Sequence, residues 1–287
     1  MAVPADPVPI VEVQRRLARA LAEVSDQPQA EARWLLEASL AWDAATLLRR
    51  ADESLPTQLQ TRLQTLLARR LAGEPLAYCL GRAPFLDFEL EVSPAVLIPR
   101  ADTEVLVEAA LERMPVDAAT QVLDLGTGSG AVALAIARSR PRARVTAVDK
   151  SAAALTVAER NGRALGVEVQ WQLGHWCRDL PPGQRFDLVL SNPPYLAADD
   201  RHLADLSHEP TLALVAGPTG YEAFTEILRQ IGGRLRGGAW LLFEHGWEQG
   251  PGVRERLRAA GFTAVFAQYD QAGRERVSGG RWTGIHA

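Results

Sequence analysis

The sequence predicts an α/β protein: a mostly parallel sheet with helices on both faces and an antiparallel last strand, preceded by a small helical bundle. Three observations predict it. Between Val11 and Ala72 apolar residues recur at helical spacing in short segments; from Gln121 onward strand and helix patterns alternate; and the last two strand patterns follow one another with no helix between them. Alternation implies parallel strands, because each crossover between them takes a dozen or more residues.

The helical segments are VEVQRRLARALAEV, AEARWLLEASLAW, ATLLRRA and LQTRLQTLLARRLA. They break at SDQP and DESLP, where Asp26 and Ser54 are expected to cap the helices that follow. The charged faces of RALAEV and RRLAGE read as solvated surface. Residues 1–75 are therefore expected to form a helical domain. The next stretch, GEPLAYCLGRAPFLDFELEVSPAVLIPRADTE, changes character: FLDFELEV alternates apolar and polar residues, and prolines stand at 84, 94 and 99. It reads as a linker over 76–100 carrying a β-hairpin. Residues 101–287 are assigned to the larger domain. Its strand candidates are QVLDLG, RVTAVD, VQWQLG, FDLVLS and GAWLLFEHG, with AVALAIARS and AAALTVAERNGRALG as helices between them; FTAVFAQYD and ERVSGGRW close the sheet as an antiparallel hairpin.

Composition narrows the function. With 287 residues, 47% of them hydrophobic and 23% charged, the chain is long enough for a large and a small globular domain. A net charge of −4 argues against a protein that grips long stretches of nucleic acid. Lys150 is the single lysine among many arginines, a bias that carries no mechanism. Cys79 and Cys177 lack partners at metal spacing and read as reduced, buried thiols. His202, His208, His245 and His286 show no metal-ligand spacing, so no metal is expected. The opening MAVPADPVPI has neither a basic segment nor an apolar core, and no run approaches the ~20 apolar residues of a membrane span. A cytoplasmic, monomeric protein is expected, with no membrane association and no direct DNA binding.

Two stretches carry the chemistry. In DLGTGSG, residues 124–130, Gly126, Gly128 and Gly130 follow the first parallel strand and open a helix, so the backbone can turn tightly and approach a ligand. The third glycine comes one residue earlier than in G-x-G-x-x-G, and Asp124 stands two residues ahead of the first. Asp149, ~20 residues on, ends the second strand, where a carboxylate can accept both hydroxyls of a ribose. That combination suits a nucleoside ligand without a pyrophosphate. The second stretch is VLSNPPY, where an apolar strand ends in an amide, two prolines and a phenol. Adjacent prolines donate no N–H and hold the chain extended, which fixes the acceptors around them.

Together these stretches resemble the class I S-adenosylmethionine-dependent methyltransferases. The resemblance implies that Gly126, Thr127, Gly128, Ser129 and Gly130 pass beneath S-adenosylmethionine, that Asp149 binds its ribose, that Trp176 packs on its adenine and that Asn192 also borders the cofactor. It places Asn192, Pro193, Pro194 and Tyr195 at the acceptor site, the tetrad used on planar nitrogens such as adenine N6 or a glutamine amide. Such a nitrogen is a poor nucleophile because its lone pair is delocalised. Acceptance of its two N–H groups by the Asn192 side-chain oxygen and the Pro193 carbonyl would aim it and stabilise the positive charge that develops on it. Tyr195 offers a face for the planar group.

GEPLAYCLGRAPF, VSPAVLIPRADTE, SNPPYL, HEPTLALVAG, FEHGWEQG and ERVSGGRW together resemble the peptide chain release factor N5-glutamine methyltransferases, the PrmC/HemK family, over essentially the whole chain. The resemblance implies methylation of the glutamine in the Gly-Gly-Gln loop of bacterial release factors 1 and 2, with the N-terminal helical domain docking the substrate. Two positions depart from the family: Ala101 stands where IPRPDTE has proline, and His175 in LGHW stands where an acid commonly faces the adenine amine. His208 and Glu209 in SHEP are read as ordering a loop at the pocket rim. Glu244 in FEHG ends the fifth strand, in a structural or a functional role. The alternatives are a DNA adenine-N6 methyltransferase, which would need to extrude its base, a glutamine methyltransferase of a ribosomal protein, and a nucleotide-dependent oxidoreductase or silent binding protein, which leaves Asn-Pro-Pro-Tyr unexplained.

Overall fold

The computed structural model describes residues 8–284, so the first seven residues and His286 lie outside it. The chain divides into two compact units, one ending at Arg82 and one running from Ala83. Among the described residues no helix is long and apolar enough to cross a membrane.

The first unit is helical, with α1 (Ile10–Leu21), α2 (Pro28–Leu40), α3 (Ala44–Arg49), α4 (Thr57–Leu71) and the short α5 (Leu76–Leu80). Ile10, Val13, Leu17 and Leu21 fall on one stripe of α1 and are buried against Leu35 and Leu36 of α2 and Leu63 and Leu67 of α4. Each such leucine contributes about 1.5–3 kcal/mol when fully buried. One ion pair sits beside this apolar core: Arg70 donates to Glu31 Oε2 at 2.8 Å and to the Val24 carbonyl at 2.8 Å, tying α4 to α2 and to the turn before it.

Asp26 and Ser54 do not cap. The N-cap positions of α2 and α4 are Gln27 and Pro56, neither with a side-chain cap bond. Proline is the reason: Pro28 fixes the entry angle of α2 and removes one of the amides a cap would satisfy, while Ser54 lies two residues too early and bridges Pro9 instead. The side-chain cap in this region belongs to α3, where Asp43 accepts the Thr46 amide at 2.7 Å.

In the second unit, β1 (Arg82–Phe85) and β2 (Phe88–Glu91) pair across a two-residue turn and lead to α6 (Asp102–Leu111). Then β3 (Gln121–Leu125), α7 (Ala131–Ser139), β4 (Arg144–Asp149), α8 (Ala152–Leu165), β5 (Gln170–Leu173) and β6 (Phe186–Ser191) alternate. An excursion through β7 (Leu196–Ala197), α9 (Thr211–Leu214) and β8 (Val215–Gly217) makes a separate two-stranded parallel sheet. The chain returns through α10 (Glu222–Ile231), β9 (Leu235–Glu244), α11 (Gly250–Ala259), β10 (Phe262–Tyr269) and β11 (Glu275–Trp282).

The main sheet has seven strands in the order β10-β11-β9-β6-β3-β4-β5. The run from β9 to β5 is parallel, and the last strand, β11, is antiparallel to both β9 and β10. Successive residues serve opposite faces: Val122, Leu188, Leu190 and Leu242 join the core on one side, and Leu123, Val189, Leu241 and Phe243 the core on the other. Strands covered on both faces read as continuous apolar runs, as these do. From β3 the chain moves outward through β4 to β5, then returns to β6 on the other side of β3. In open α/β sheets the crevice beyond the carboxyl ends of strands at such a reversal is where ligands bind.

Candidate active site

The loop after β3 is stitched to the end of β4: the Gly126 and Thr127 amides both donate to the Val148 carbonyl, at 2.8 and 3.1 Å. Gly128 has φ +56°, and a Cβ built there would meet nothing within 4 Å. Asp149 is held by two backbone amides, Gly128 on Oδ2 at 2.9 Å and Ser151 on Oδ1 at 2.8 Å. Each carboxylate oxygen keeps lone-pair capacity for a further donor. Gly130 does other work, because a Cβ there would press on Leu134, Trp171 and Ala158 at 3.1 to 3.2 Å; the third glycine lets α7 pack. Asp124, beneath the loop, is buried and accepts the Thr127 hydroxyl at 2.6 Å. Burial lifts its carboxyl to about 7, against the opposing pull of that hydroxyl and of the Ala133 amide.

After β5 the chain reaches His175 and Trp176. Trp176 has φ +54°, its ring lies 3.3 Å from where a Gly126 Cβ would be, and its indole N–H donates to Glu226 Oε2 at 3.2 Å. The His175 amide donates to Asp179 Oδ2 at 2.9 Å, and its ring Nδ1 lies 3.5 Å from Glu226 Oε1. The position where a family acid was expected thus has two carboxylates as neighbours, from the following turn and from α10.

Beyond β6, Ser191 anchors the strand end by donating to the Leu125 carbonyl at 2.7 Å. Asn192 follows at the boundary of the cleft, and its Nδ2 donates to Thr103 Oγ1 of α6 at 3.2 Å. The nitrogen end of the amide is therefore engaged by the protein, and the oxygen end is the one available to a ligand. The tail of the tetrad is held by Gln249, whose Nε2 donates to the Tyr195 carbonyl at 3.0 Å and the Gly220 carbonyl at 3.2 Å. Tyr195 packs on the apolar core beneath α10, and burial pushes its phenol well above the usual tyrosine range.

The cleft encloses about 1020 Å³ with its mouth included. Gly126, Thr127, Gly128, Ser129, Asp149, His175, Trp176, Asn192 and Pro194 line it, as do Asp124 and Thr103. Gly130, Pro193 and Tyr195 are not among the residues that line it, although Pro193 sits between the lining residues Asn192 and Pro194. Glu209 is buried and pins the rim: it accepts the Ile98 amide at 3.0 Å and pairs with Arg100. Asn161 fastens the loop from behind, donating to the Ser129 carbonyl at 2.9 Å and the Glu91 carbonyl at 3.0 Å. Thr103, Asn161 and Gln249 were not singled out by sequence reasoning, although Thr103 lies within IPRADTE and Gln249 within FEHGWEQG. Among the described residues no group of three or more His, Cys, Asp or Glu side chains is placed to hold a metal ion.

Residues 12–81 match the PrmC N-terminal domain and residues 102–209 the Methyltransferase small domain. The chain is 47% identical over 255 residues to the release factor glutamine methyltransferase of Bordetella pertussis, an alignment spanning 88% of this chain and 94% of that one. The chain belongs to the release factor glutamine methyltransferase family. The member of the family from Pseudomonas aeruginosa is 43% identical over 265 residues, 91% of this chain and 95% of that one. Among solved structures, the 16S rRNA N2 G1207 methyltransferase of T. Thermophilus in complex with AdoMet and guanosine shares the fold, with a TM-score of 0.50 and 20% identity over 70% of this chain and 49% of that chain.

Proposed function

We propose that the protein transfers a methyl group from S-adenosylmethionine to the side-chain amide nitrogen, N5, of the glutamine in the Gly-Gly-Gln motif of bacterial release factors 1 and 2. The observation that carries this reading is the Asn192 amide at the cleft wall, with its nitrogen end taken by Thr103. Kinship with the Bordetella and Pseudomonas enzymes, named for the release factor glutamine, supports the choice of acceptor.

The residues present fit the cofactor. Gly126 and Gly128 offer backbone where side chains would intrude, Asp149 has carboxylate lone pairs for two ribose hydroxyls, and Trp176 offers an apolar face. When bound, S-adenosylmethionine supplies an electrophilic methyl group. The protein's task is the acceptor. Asn192 Oδ1 and the Pro193 carbonyl each take one N–H of the glutamine amide, which turns its lone pair toward the methyl and compensates the positive charge that grows on nitrogen. No base is needed before attack, because the proton becomes acidic once the nitrogen is cationic. Tyr195, partly buried against the core, supports the tetrad from that side.

The helical domain, residues 1–75, docks the release factor, the linker at 76–100 joins it to the rest, and residues 101–287 carry the chemistry. The deciding experiment incubates the protein with labelled S-adenosylmethionine and either release factor 1 or 2, the same factor with its loop glutamine changed to glutamate, or duplex DNA. Label on the unaltered release factor alone is expected. Label on DNA, or on the glutamate variant, would overturn the reading.

A further inference from the structure

Glu244 is the last residue of β9, and the residue is 1% exposed. It lies one strand over from Asn192, since Phe243 before it is the register partner of Ser191 on β6. A buried carboxylate oxygen demands a partner, yet Oε2 has no hydrogen bond of ordinary geometry. The groups facing the carboxyl are the Thr103 hydroxyl and the Asn192 amide, both of which favour its charged form.

Proton counting gives this cluster a direction. Asn192 Nδ2 has two N–H groups, and one goes to Thr103 Oγ1. Having accepted there, the threonine hydroxyl has its single proton left to give, and Glu244 is the acceptor beside it. The second Asn192 N–H is left for the same carboxyl, whose charge the amide favours. An ionised carboxylate accepts only, so every donor in the cluster converges on it.

We propose that Glu244, acting through Thr103, is the positioning residue that determines which end of the Asn192 side-chain amide faces the acceptor cleft. The inference rests on the acceptor role proposed above for Asn192. The two ends of an amide are nearly equal in size, so packing alone does not choose between them. Swapped, Asn192 would turn Oδ1 toward an anion and present N–H groups to the N–H groups of the incoming glutamine, leaving the nitrogen without an acceptor. The ionised carboxylate forbids that swap; a protonated one permits it, because its O–H can donate to Oδ1.

The surroundings place the choice near neutrality. Burial lifts the Glu244 carboxyl to about 7; Asp102 of α6 adds to the rise and Arg276 of β11 opposes it. Arg276 is itself shared between Asp102 and Asp270, each at 2.9 Å, and the buried Tyr195 phenol lies within reach of the carboxyl's charge. Turnover should therefore be high above this range and fall as pH drops through it.

The test uses the full-length protein as wild type, Glu244→Gln, Thr103→Val and Thr103→Ser. Turnover and KM on intact release factor are followed from about pH 6 to about pH 8, around the carboxyl's raised titration range, with S-adenosylmethionine affinity measured by calorimetry. Glu244→Gln is expected to lower kcat about tenfold, the equivalent of one hydrogen bond, to lose the acid limb of the wild-type profile, and to keep both KM and cofactor affinity. Thr103→Val should lower kcat similarly and Thr103→Ser should restore it. Wild-type turnover with an unchanged acid limb in Glu244→Gln, or failure of serine to restore what valine removes, would overturn the inference alone. Absence of methyl transfer by the wild type would overturn the functional reading and this inference with it.

Discussion

The Gly128 amide stands 2.9 Å from Asp149 Oδ2, so the loop that follows one strand is tied to the carboxylate that ends its neighbour. Because Ser151 holds the other oxygen at 2.8 Å, the carboxylate is fixed before any ligand arrives. Little ordering remains to be done on binding, which is how a site gains affinity without additional contacts.

Asp149→Ala and Gly128→Val are accordingly expected to abolish S-adenosylmethionine binding for different reasons. The first removes the acceptors for the ribose and the second fills open cleft with a branched side chain. Valine at φ +56° also carries strain of about 1–3 kcal/mol, which a domain of this size can carry without unfolding. Calorimetry on variants shown by circular dichroism to be folded decides the matter. Wild-type affinity in both would remove the cofactor from this loop.

The strands of the sheet were legible because burial on both faces turns them into apolar runs such as QVLDL and FDLVLS, short and bounded by turn residues. Helix α11 was harder to see. GPGVRERLRA opens with two glycines around a proline, which reads as loop, although proline at a helix start is favourable once the preceding turn is set. In the cleft, the glycine loop, Asp149 and Asn192 could be picked out because each sits at the end of a strand with its chemistry written in consecutive residues. Thr103, Gln249 and Asn161 could not, since they act on Asn192, Tyr195 and Ser129 across 89, 54 and 32 positions of chain. No local pattern encodes such a contact.

The pair Arg70 and Glu31 gives the helical unit its own prediction. Their side chains are 14% and 11% exposed, and Glu31 has the guanidinium as its charged partner. Removing one member of a buried pair strands the other, at a cost of about 3 kcal/mol. Arg70→Ala should lower the denaturant midpoint of the helical unit, read from the full-length chain by the fluorescence of Trp34 and Trp42, and leave that of the sheet unit unmoved. A midpoint within error of wild type would show that the pair contributes nothing net.

Asp124 and Glu244 make stability fall with rising pH. Both carboxyls titrate near about 7 because burial disfavours their charge. Their folded-state values lie above the unfolded ones, so the native state binds the extra protons; their contribution is full below the unfolded value and is lost as pH climbs through the folded value. Glu244→Gln cannot ionise and should escape its share of the loss. Denaturation of both proteins at about pH 5 and about pH 8 is expected to show the variant gaining on wild type between the two. Parallel changes would mean that Glu244 does not titrate in this window.

The acceptor model is tested most directly at Asn192. Its side chain borders the cofactor as well as the acceptor, but most contacts expected for S-adenosylmethionine lie on Gly126 to Gly130, Asp149 and Trp176, so Asn192→Ala should leave cofactor affinity close to wild type. Turnover should fall by roughly 10²–10³, the loss seen when one preorganised polar group is removed from a reacting centre. Asn192→Asp sharpens the point: it keeps an acceptor oxygen in the cleft but places a second anion against Glu244, so its activity should also fall, and by more at high pH, where Glu244 is ionised, than near pH 6. The wild-type enzyme should meanwhile act poorly on an isolated Gly-Gly-Gln peptide, because binding energy from the rest of the release factor is what holds the glutamine in its reactive position. Single-turnover rates on intact factor and on peptide, taken beside calorimetric cofactor affinities, separate these effects. Full activity of Asn192→Ala on the intact factor would show that the amide is aimed by something other than this side chain.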